Sequence, residues 1–304
     1  KLKMINYLKY RIKNFLNFNK KQLGEIQLLL KKKNYSKITN IRDAEVKIFS
    51  QFGEDGIIDF LLYKLNLTNH IAFLEIGTGD YEEANTRFLC ETRSCRGLLI
   101  DKIKDLKFVQ KRDFFWKNDL YFCQKTITPS NISSVINSYG FKNDCNLLSI
   151  DIDGNDYWVL KNIELSHVDI VVAEYNPLFG SNLSLTVPQD DNFDRNRFKK
   201  IFYGASLTAI IELMESKGFM FVGANSACNN AFFINKNKKE FFSNLKVEEL
   251  KEYTKFTFRE IKENSYKENQ ISNLIDKIED FEIYDLNKKK TFKIKELKSQ
   301  LANV

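Results

Sequence analysis

A glycine-rich turn follows the first apolar strand of the sequence and indicates a nucleotide-like ligand. The strand 71–76 runs into Gly77 and Gly79, and the next apolar strand ends at Asp101, 22 residues after Gly79. Glycines at the end of a buried strand let the backbone turn tightly and approach a ligand. A carboxylate at the end of the second strand accepts hydrogen bonds from both hydroxyls of a ribose. The combination predicts an adenosine-containing cofactor.

The residues after this turn discriminate between two such cofactors. The third glycine of the dinucleotide-binding fingerprint is missing, because the range 81–84 after Asp80 contains two acids and no glycine. A pyrophosphate needs close backbone contact at an uncluttered helix start, and acids there repel it. The same acids attract a sulfonium cation. The pattern therefore favours S-adenosylmethionine (SAM) over NAD.

Acidic side chains also gather at the predicted ends of the fourth and fifth strands. Asp151, Asp153 and Asp156 come at the end of the fourth strand, and Glu174 and Asn176 end the fifth. A calcium-binding EF-hand is excluded, because Asp156 stands where that loop requires glycine. The carboxyl ends of parallel strands form the ligand crevice of an α/β sheet, so we expect these groups to face a substrate.

These oxygen-bearing groups allow two kinds of chemistry. Asp153, Asp156 and Glu174 are the predicted catalytic residues, one of which would take the proton of an acceptor hydroxyl. Asp153, Glu174 and Asn176 also form a candidate Mg²⁺ site, because carboxylate and amide oxygens suit this ion. The alternatives are that the acids only orient sugar hydroxyls, or that Asp151 caps the following helix.

Short apolar strands that alternate with amphipathic helices must position these groups. Near-continuous apolar strands, each ending in a polar residue, are typical of a parallel sheet covered on both faces. Two last strands joined by a short Gly/Asn/Ser-rich segment predict an antiparallel hairpin at one edge. The predicted fold class is α/β, a doubly wound, mostly parallel sheet with an antiparallel terminal hairpin. Its seven predicted strands are 71–76, 97–101, 119–123, 146–151, 168–174, 219–222 and 231–234.

Five stretches of the sequence resemble the class I SAM-dependent methyltransferases, whose Rossmann-like sheet closes with a reversed last strand. The resemblance is closer to the FkbM-type family and covers residues from about 48 to 236. The stretches are Ser50-Gln-Phe-Gly-Glu-Asp-Gly56, Phe73-Leu-Glu-Ile-Gly-Thr-Gly79, Leu148-Ser-Ile-Asp-Ile-Asp-Gly-Asn-Asp156, Glu174-Tyr-Asn-Pro177 and Gly204-Ala-Ser206.

This resemblance implies how SAM is held. The turn around Gly77 would flank the methionine part of SAM, and Asp101 would hold its ribose. Ser50 and Gln51 would lie near the carboxylate end of the cofactor; the alternative is that they cap the helix before Glu54. The residue that contacts the adenine stays open within 124–126. The predicted cofactor-binding residues are Ser50, Gln51, Glu75, Gly77, Gly79, Asp101 and Asp151.

The function implied by the resemblance is O-methylation of a hydroxyl on a sugar, a sugar nucleotide or a surface (capsular) polysaccharide precursor. The long polar segment 177–203 is the predicted acceptor loop. Asn176, Arg195 and Arg197 are the predicted substrate-binding residues, because Arg binds anionic oxygens in pairs. The alternative is a surface loop whose basic residues face water. The other functions considered are an N- or phosphate-group methyltransferase, a non-catalytic SAM-fold assembly module and an NAD-dependent oxidoreductase.

Composition excludes several other classes of protein. The 304 residues include 47 Lys+Arg and 40 Asp+Glu, and a net charge of +7 is weaker than that of a nucleic-acid binder. No apolar run approaches the roughly 20 residues of a transmembrane helix. Five cysteines without a C-x-x-C pair argue against disulfides and a zinc site, and predict a cytoplasmic protein. His70 and His167 precede strands, so both are predicted to be structural.

Two extensions flank the predicted SAM-binding domain at 46–237. Residues 1–45 are predicted to form a basic helical extension, and residues 238–304 a second helical extension rich in Lys and Glu. The first helix is expected to mediate dimerisation or to bind a membrane surface; the alternative is that it packs against its own domain. If it mediates dimerisation, the protein is a homodimer through its terminal helices. The apolar residues of the first helix form one helical stripe at Ile5, Leu8, Ile12 and Phe15.

Overall fold

The chain folds around a central sheet, and the computed structural model describes residues 2–102, 109–110, 112–255 and 271–301. The strands of this sheet are β1 (Ile71–Ile76), β2 (Cys95–Asp101), β3 (Asp119–Gln124), β4 (Leu147–Ile150), β5 (Ile170–Glu174), β7 (Phe219–Ala224) and β8 (Asn230–Asn235). The short strand β6 (Leu185–Thr186) belongs to a smaller sheet.

The strand order of the central sheet is β3-β2-β1-β4-β5-β8-β7. Strands β1 to β5 are parallel, whereas β8 runs antiparallel to both β5 and β7. This reversal confirms the predicted edge hairpin, and the order confirms a doubly wound α/β sheet of the class I methyltransferase-like Rossmann type. The carboxyl ends of β1, β2, β4 and β5 therefore lie along one edge, and β8 begins at that same edge.

The strands are apolar throughout because both faces of the sheet are covered. Alternate side chains point to opposite faces, so Leu74 and Ile76 pack into the core on one face. Phe73 and Leu99 pack into the core on the other face. Each buried side chain of this size contributes about 1.5–3 kcal/mol relative to an exposed one, which favours this two-sided burial.

Eight helices are present among the described residues, and none of them has both the length and the apolar character needed to cross a membrane. The last helix of the central domain, α6, has a defined start and end: Ser206 caps its start by accepting from the backbone N–H of Ala209 at 3.2 Å, and Gly218 follows its end with φ +85°. The helices are α1 (Leu2–Lys32), α2 (Glu54–Lys64), α3 (Arg87–Thr92), α4 (Ile132–Ser138), α5 (Asp156–Lys161), α6 (Leu207–Ser216), α7 (Ile271–Ile278) and α8 (Ile294–Leu301).

The C-terminal segment contains strands as well as the predicted helices. Strands β9 (Glu282–Asp285) and β10 (Lys290–Lys293) form a hairpin, and β9 pairs with β6 to make a three-stranded sheet. The helical prediction missed this hairpin because its strands are four residues long and largely charged, so they lack an apolar alternation. Ile283 is nevertheless buried with α7 and α8 against the segment after β5. Within the predicted extension, 256–270 and 302–304 lie outside the described residues.

Candidate functional site

A cleft of about 490 Å³ opens along the carboxyl ends of β1, β2, β4 and β5. The residues that line it come from widely separated parts of the chain, so the sheet edge is what brings them together. Nine of the predicted site residues line this cleft: Gln51, Glu75, Gly77, Gly79, Asp101, Asp151, Asp153, Glu174 and Arg195. Four predicted site residues do not line it: Ser50, Asp156, Asn176 and Arg197.

The glycine turn joins three strand ends. The backbone N–H of Gly77 donates to the carbonyl oxygen of Ile100 at 2.9 Å. Gly77 has φ +88°, and a Cβ there would lie 1.5 Å from the carbonyl oxygen of Asp151. The N–H of Gly79 donates to Oδ2 of Asp101 at 2.8 Å. Only glycine therefore fits position 77, and the Asp101 carboxylate is anchored beside the turn.

Glu75 lines the cleft, but its carboxylate is held by the protein itself. Oε1 accepts from the backbone N–H of Asn85 at 2.8 Å, and Oε2 accepts from both the N–H and the hydroxyl of Thr86. Burial raises the pKa of Glu75 to about 7. Glu75 thus fixes the segment at 85–86, which continues from the wall of the cleft that residues 83–85 form.

Three carboxylates converge on the other side of the cleft. One oxygen each from Asp151, Asp153 and Glu174 lies within 4.8 Å of the others. Burial raises the pKa of Glu174 well above its usual range, and the charges of Asp151 and Asp153 raise it further. Burial and the Asp153 charge raise the pKa of Asp151 in the same way. Because buried like charges this close together destabilise one another, a proton or a cation is favoured at this cluster.

Arg195 brings a positive charge from the predicted acceptor loop to these acids. Its guanidinium pairs with the carboxylate of Asp153, lies 4.5 Å from the ring centre of Tyr203, and donates to the carbonyl of Lys200 at 2.9 Å. Arg197 is exposed and lies outside the cleft. The predicted loop therefore contributes one of its two candidate arginines to the site.

The structure corrects the predicted roles of Asp156 and Asn176. The buried carboxylate of Asp156 accepts from the backbone N–H groups of Ile152 and Gly154 at 2.8 and 2.9 Å, so it holds the loop before α5 instead of facing an acceptor. The buried amide of Asn176 donates to two backbone carbonyls at 2.9 and 3.0 Å and accepts from the N–H of Leu178 at 3.0 Å. The amide of Asn176 is therefore engaged by the backbone and does not line the cleft, whereas Asp151 joins Asp153 and Glu174 as the third acid of the cluster.

The neighbouring residues Ser50 and Gln51 differ in position: the first is buried beside helix α2, and the second lines the cleft. The Ser50 hydroxyl is buried and donates to Oδ2 of Asp55 at 2.7 Å, while the N–H of Asp55 donates back to it at 3.1 Å. This reciprocal pairing ties the segment before α2 to the first turn of that helix, whose N-cap residue is Gly53. Gln51 lies on the cleft wall and remains a predicted cofactor ligand.

Sequence reasoning missed a wall of the cleft that comes from β8. Asn229 and Asn230 line the cleft, and Asn230 pairs in register with Glu174 across the sheet. Its Nδ2 donates to Oε1 of the buried Glu54 at 2.9 Å. A parallel strand presents its last residue at this edge, whereas β8 is reversed and presents its first. The Asn-rich hairpin turn before β8 was the signal that could have found it.

Comparisons with known proteins add little to this geometry. No protein-family model and no curated protein matches the sequence. Among solved structures, the N-terminal domain of EvdMO1 with SAH bound is 8% identical, covers 60% of this chain and 79% of that chain, and has a TM-score of 0.36. A putative hemolysin from Streptococcus thermophilus is 14% identical, with coverages of 66% and 74% and a TM-score of 0.36. A putative sarcosine dimethylglycine methyltransferase from Galdieria sulphuraria is 9% identical, with coverages of 61% and 70% and a TM-score of 0.32. At TM-scores this low the likenesses carry no argument, and the fold assignment stands on the strand order.

Proposed function

We propose that this chain is an FkbM-type, SAM-dependent O-methyltransferase acting on a hydroxyl of a sugar, a sugar nucleotide or a capsular polysaccharide precursor. The observation that supports it is the union of two groups in one cleft. The glycine turn with Asp101 suits an adenosine cofactor, and the acids of β4 and β5 lie across the same cleft. A cytoplasmic location belongs to the proposal and is supported by five buried, unpaired cysteines.

The cofactor half of the cleft has groups for each part of SAM. When bound, SAM supplies a methyl group that already carries its leaving group. Asp101 would accept from the ribose hydroxyls, because its carboxylate is fixed at the end of β2 by the Gly79 N–H. The turn at Gly77 lets the backbone approach the ligand, and Gln51 offers an amide to the carboxylate end. These residues orient the methyl group rather than activate it.

The acid half of the cleft has groups for the acceptor hydroxyl. Glu174 is the candidate general base, because its burial favours proton uptake from a hydroxyl held in the cleft. Within the described residues, the buried Oε2 of Glu174 has no hydrogen-bond partner, so it is available to that proton. Asp151 lies in the same buried environment, so after Glu174 has taken the proton the two neighbouring carboxylates would share it.

The same acids fit a magnesium ion. Asp151, Asp153 and Glu174 supply three carboxylates with oxygens close enough for one ion, and the unpaired Glu174 oxygen is a suitable ligand. Mg²⁺ held there would supply Lewis acidity toward an acceptor hydroxyl. This set of ligands differs from the predicted one in a single residue: Asp151 takes the place of Asn176, whose amide is hydrogen-bonded to the backbone.

An anionic acceptor is supported by the charges around a side chamber that continues from the cleft. Three cations and two aspartates line this chamber of about 230 Å³, together with Phe193, so basic groups exceed acidic ones by one; the charged residues are Lys102, Arg195, Lys200, Asp153 and Asp194. An aromatic ring next to cations suits a sugar that carries a phosphate, because the ring packs on the sugar and the cations bind oxygen. This chamber is where a sugar nucleotide would place its diphosphate.

The cofactor assignment is tested by calorimetry with S-adenosylhomocysteine. We expect binding at micromolar strength or better, about −8 kcal/mol. The Asp101→Ala variant should weaken binding at least tenfold, because two ribose hydroxyls lose a charged acceptor worth roughly 1.5–3 kcal/mol per bond. Asp119→Ala, which removes an exposed carboxylate at the opposite end of the sheet, is the matched control. Binding of NADH without binding of S-adenosylhomocysteine would refute the methyltransferase proposal.

A further inference from the structure

The N-terminal helix α1 is attached to the body of the protein by its polar side. Lys13 Nζ lies 2.9 Å from Oε1 of Glu82, and Lys31 Nζ donates to two backbone carbonyls at 2.6 and 2.7 Å. Gly24 lets the helix approach closely, since a Cβ there would lie 2.6 Å from Cδ1 of Ile48. Among the side chains of α1 that the structure describes, Leu28 is the only large apolar one that is buried.

The opposite side of α1 is an apolar stripe that nothing in the described structure covers. Eleven large apolar side chains are between 48% and 71% exposed. At 3.6 residues per turn they fall within an arc of about 160° that runs the length of the helix. A surface helix ordinarily buries its apolar side against the core, so this orientation is reversed. The stripe consists of Met4, Ile5, Leu8, Ile12, Phe15, Leu16, Phe18, Leu23, Ile26, Leu29 and Leu30.

The central line of the stripe follows a seven-residue repeat. Positions alternate three and four residues apart from 5 to 29, which is the a/d spacing of a coiled coil. Isoleucine fills three of the four a positions and Asn19 the fourth, and β-branched a positions with Leu at d favour two-stranded pairs. The a positions are Ile5, Ile12, Asn19 and Ile26, and the d positions are Leu8, Phe15, Gln22 and Leu29.

We propose that this stripe is the interface for a second copy of the chain, with two α1 helices paired in parallel. If each of the eleven side chains exposes on the order of 100 Å², the stripe offers roughly 1,000 Å², more than the roughly 800 Å² that each partner of a standard interface buries. An exposed patch of that size is also larger than the few hundred Å² usual on monomers.

Two amides in the middle of the stripe favour a second helix over a lipid surface. Asn19 and Gln22 occupy neighbouring a and d positions, and lipid offers them no hydrogen-bond partner. In a parallel pair each amide meets its counterpart at the same height and bonds to it, as single a-position asparagines do in coiled coils. Pairing also leaves like charges apart, because Arg11 at a g position faces the e position held by Leu16.

Sedimentation equilibrium of the full chain at about 50 µM tests the proposal, since association depends on protomer concentration. We expect twice the chain mass of 35.7 kDa. Ile12→Glu should return the monomer mass because it places two charges in the seam. Gln27→Glu, an equal charge change at an exposed b position, should leave the dimer intact. Circular dichroism checks that both variants keep their helix content.

Cross-linking gives a measure that does not depend on the stability of the charged variant. Under mild oxidation, Asn19→Cys should form a disulfide-linked dimer and Gln27→Cys should not, because only the first lies on the seam and the native cysteines are buried. A monomer at all concentrations, or no cross-link at position 19, would overturn the parallel pair. A monomer that co-sediments with phosphatidylcholine/phosphatidylglycerol vesicles would replace it with a membrane-surface role.

Discussion

The two halves of the cleft are built by different means. Beside β1 and β2, the shape comes from backbone: Gly77 and Gly79 take positive φ angles, and Asp101 is fixed by an N–H of that turn. Beside β4 and β5, it comes from charge: Asp151 and Glu174 are crowded carboxylates whose pKa values burial raises. Backbone shape recognises a ligand without changing its protonation, whereas crowded acids can move a proton. The difference predicts that substitutions in one half alter cofactor affinity or stability, and those in the other alter turnover.

The largest effect should come from the acid half. Glu174→Gln removes the proposed base while keeping its size, and kcat should fall by about 10²–10⁴ because that is what general-base catalysis contributes. S-adenosylhomocysteine affinity should stay within about threefold of the parent. Turnover is measured as S-adenosylhomocysteine released from SAM with the sugar nucleotide that the parent converts fastest. An unchanged kcat would show that Glu174 is not the general base, and that the two halves of the cleft do not differ in the way proposed.

The next effect should come from the backbone half and appear in stability. Gly77→Ala forces a Cβ to within 1.5 Å of the Asp151 carbonyl at φ +88°, so the ends of β1 and β4 must separate. We expect the free energy of unfolding to fall by about 3 kcal/mol or more, with loss of S-adenosylhomocysteine binding.

Gly79→Ala is the matched control for that substitution. Its φ is +53°, but a Cβ there would meet no atom within 4 Å, so only the left-handed backbone cost of about 1–2 kcal/mol remains. Urea unfolding measures both variants. Equal losses would mean that contact with the Asp151 carbonyl does not shape the turn.

The sequence predicted the backbone half better than the acid half, and the reason is local geometry. A glycine turn after a buried strand is constrained by its own residues, so Gly77, Gly79 and Asp101 lie where the pattern placed them. The role of an acid depends on which neighbours already use its oxygens. Asp156 and Asn176 have the right side chains at the right strand ends, but backbone groups consume both.

Contacts distant in sequence were the least predictable part. Asn230 reaches the cleft because β8 is reversed and pairs with β5, which depends on the whole topology. Strands β9 and β6 pair across about a hundred residues, and neither is long enough to show an alternating pattern. The stripe of α1 was visible from its spacing, whereas the side of the helix that contacts the body was not.

A smaller effect concerns Glu75, which lies between the two halves. Its pKa is about 7 in the folded chain and roughly 4.3 when unfolded, so the folded state binds the extra proton between these values. Stability should therefore fall as the pH rises from about 5 to about 7, by on the order of 1–3 kcal/mol, and level off above. Urea midpoints at pH 5.5 and 8 measure this, and Glu75→Gln should flatten the slope while the exposed control Asp119→Asn does not. If Glu75→Gln leaves the pH dependence of the unfolding free energy unchanged, that dependence comes from other acids and not from Glu75.

The smallest effect tests whether charge in the second half also recognises the acceptor. Arg195→Ala should raise KM for a sugar nucleotide roughly tenfold, because one charge-assisted hydrogen bond is lost. Arg197→Ala is the control, since that residue is exposed and lies outside the cleft, and its KM should stay within about twofold. Arg195 also pairs with Asp153. If its role is only to position that carboxylate, Arg195→Ala should lower kcat and leave KM unchanged. Arg195→Lys separates these roles further, because it keeps the positive charge near Asp153 but loses the planar fork that binds phosphate oxygens in pairs. If Arg195→Ala and Arg197→Ala both keep the parent's KM, the side chamber does not bind an anionic acceptor, and the acid half acts only on the proton.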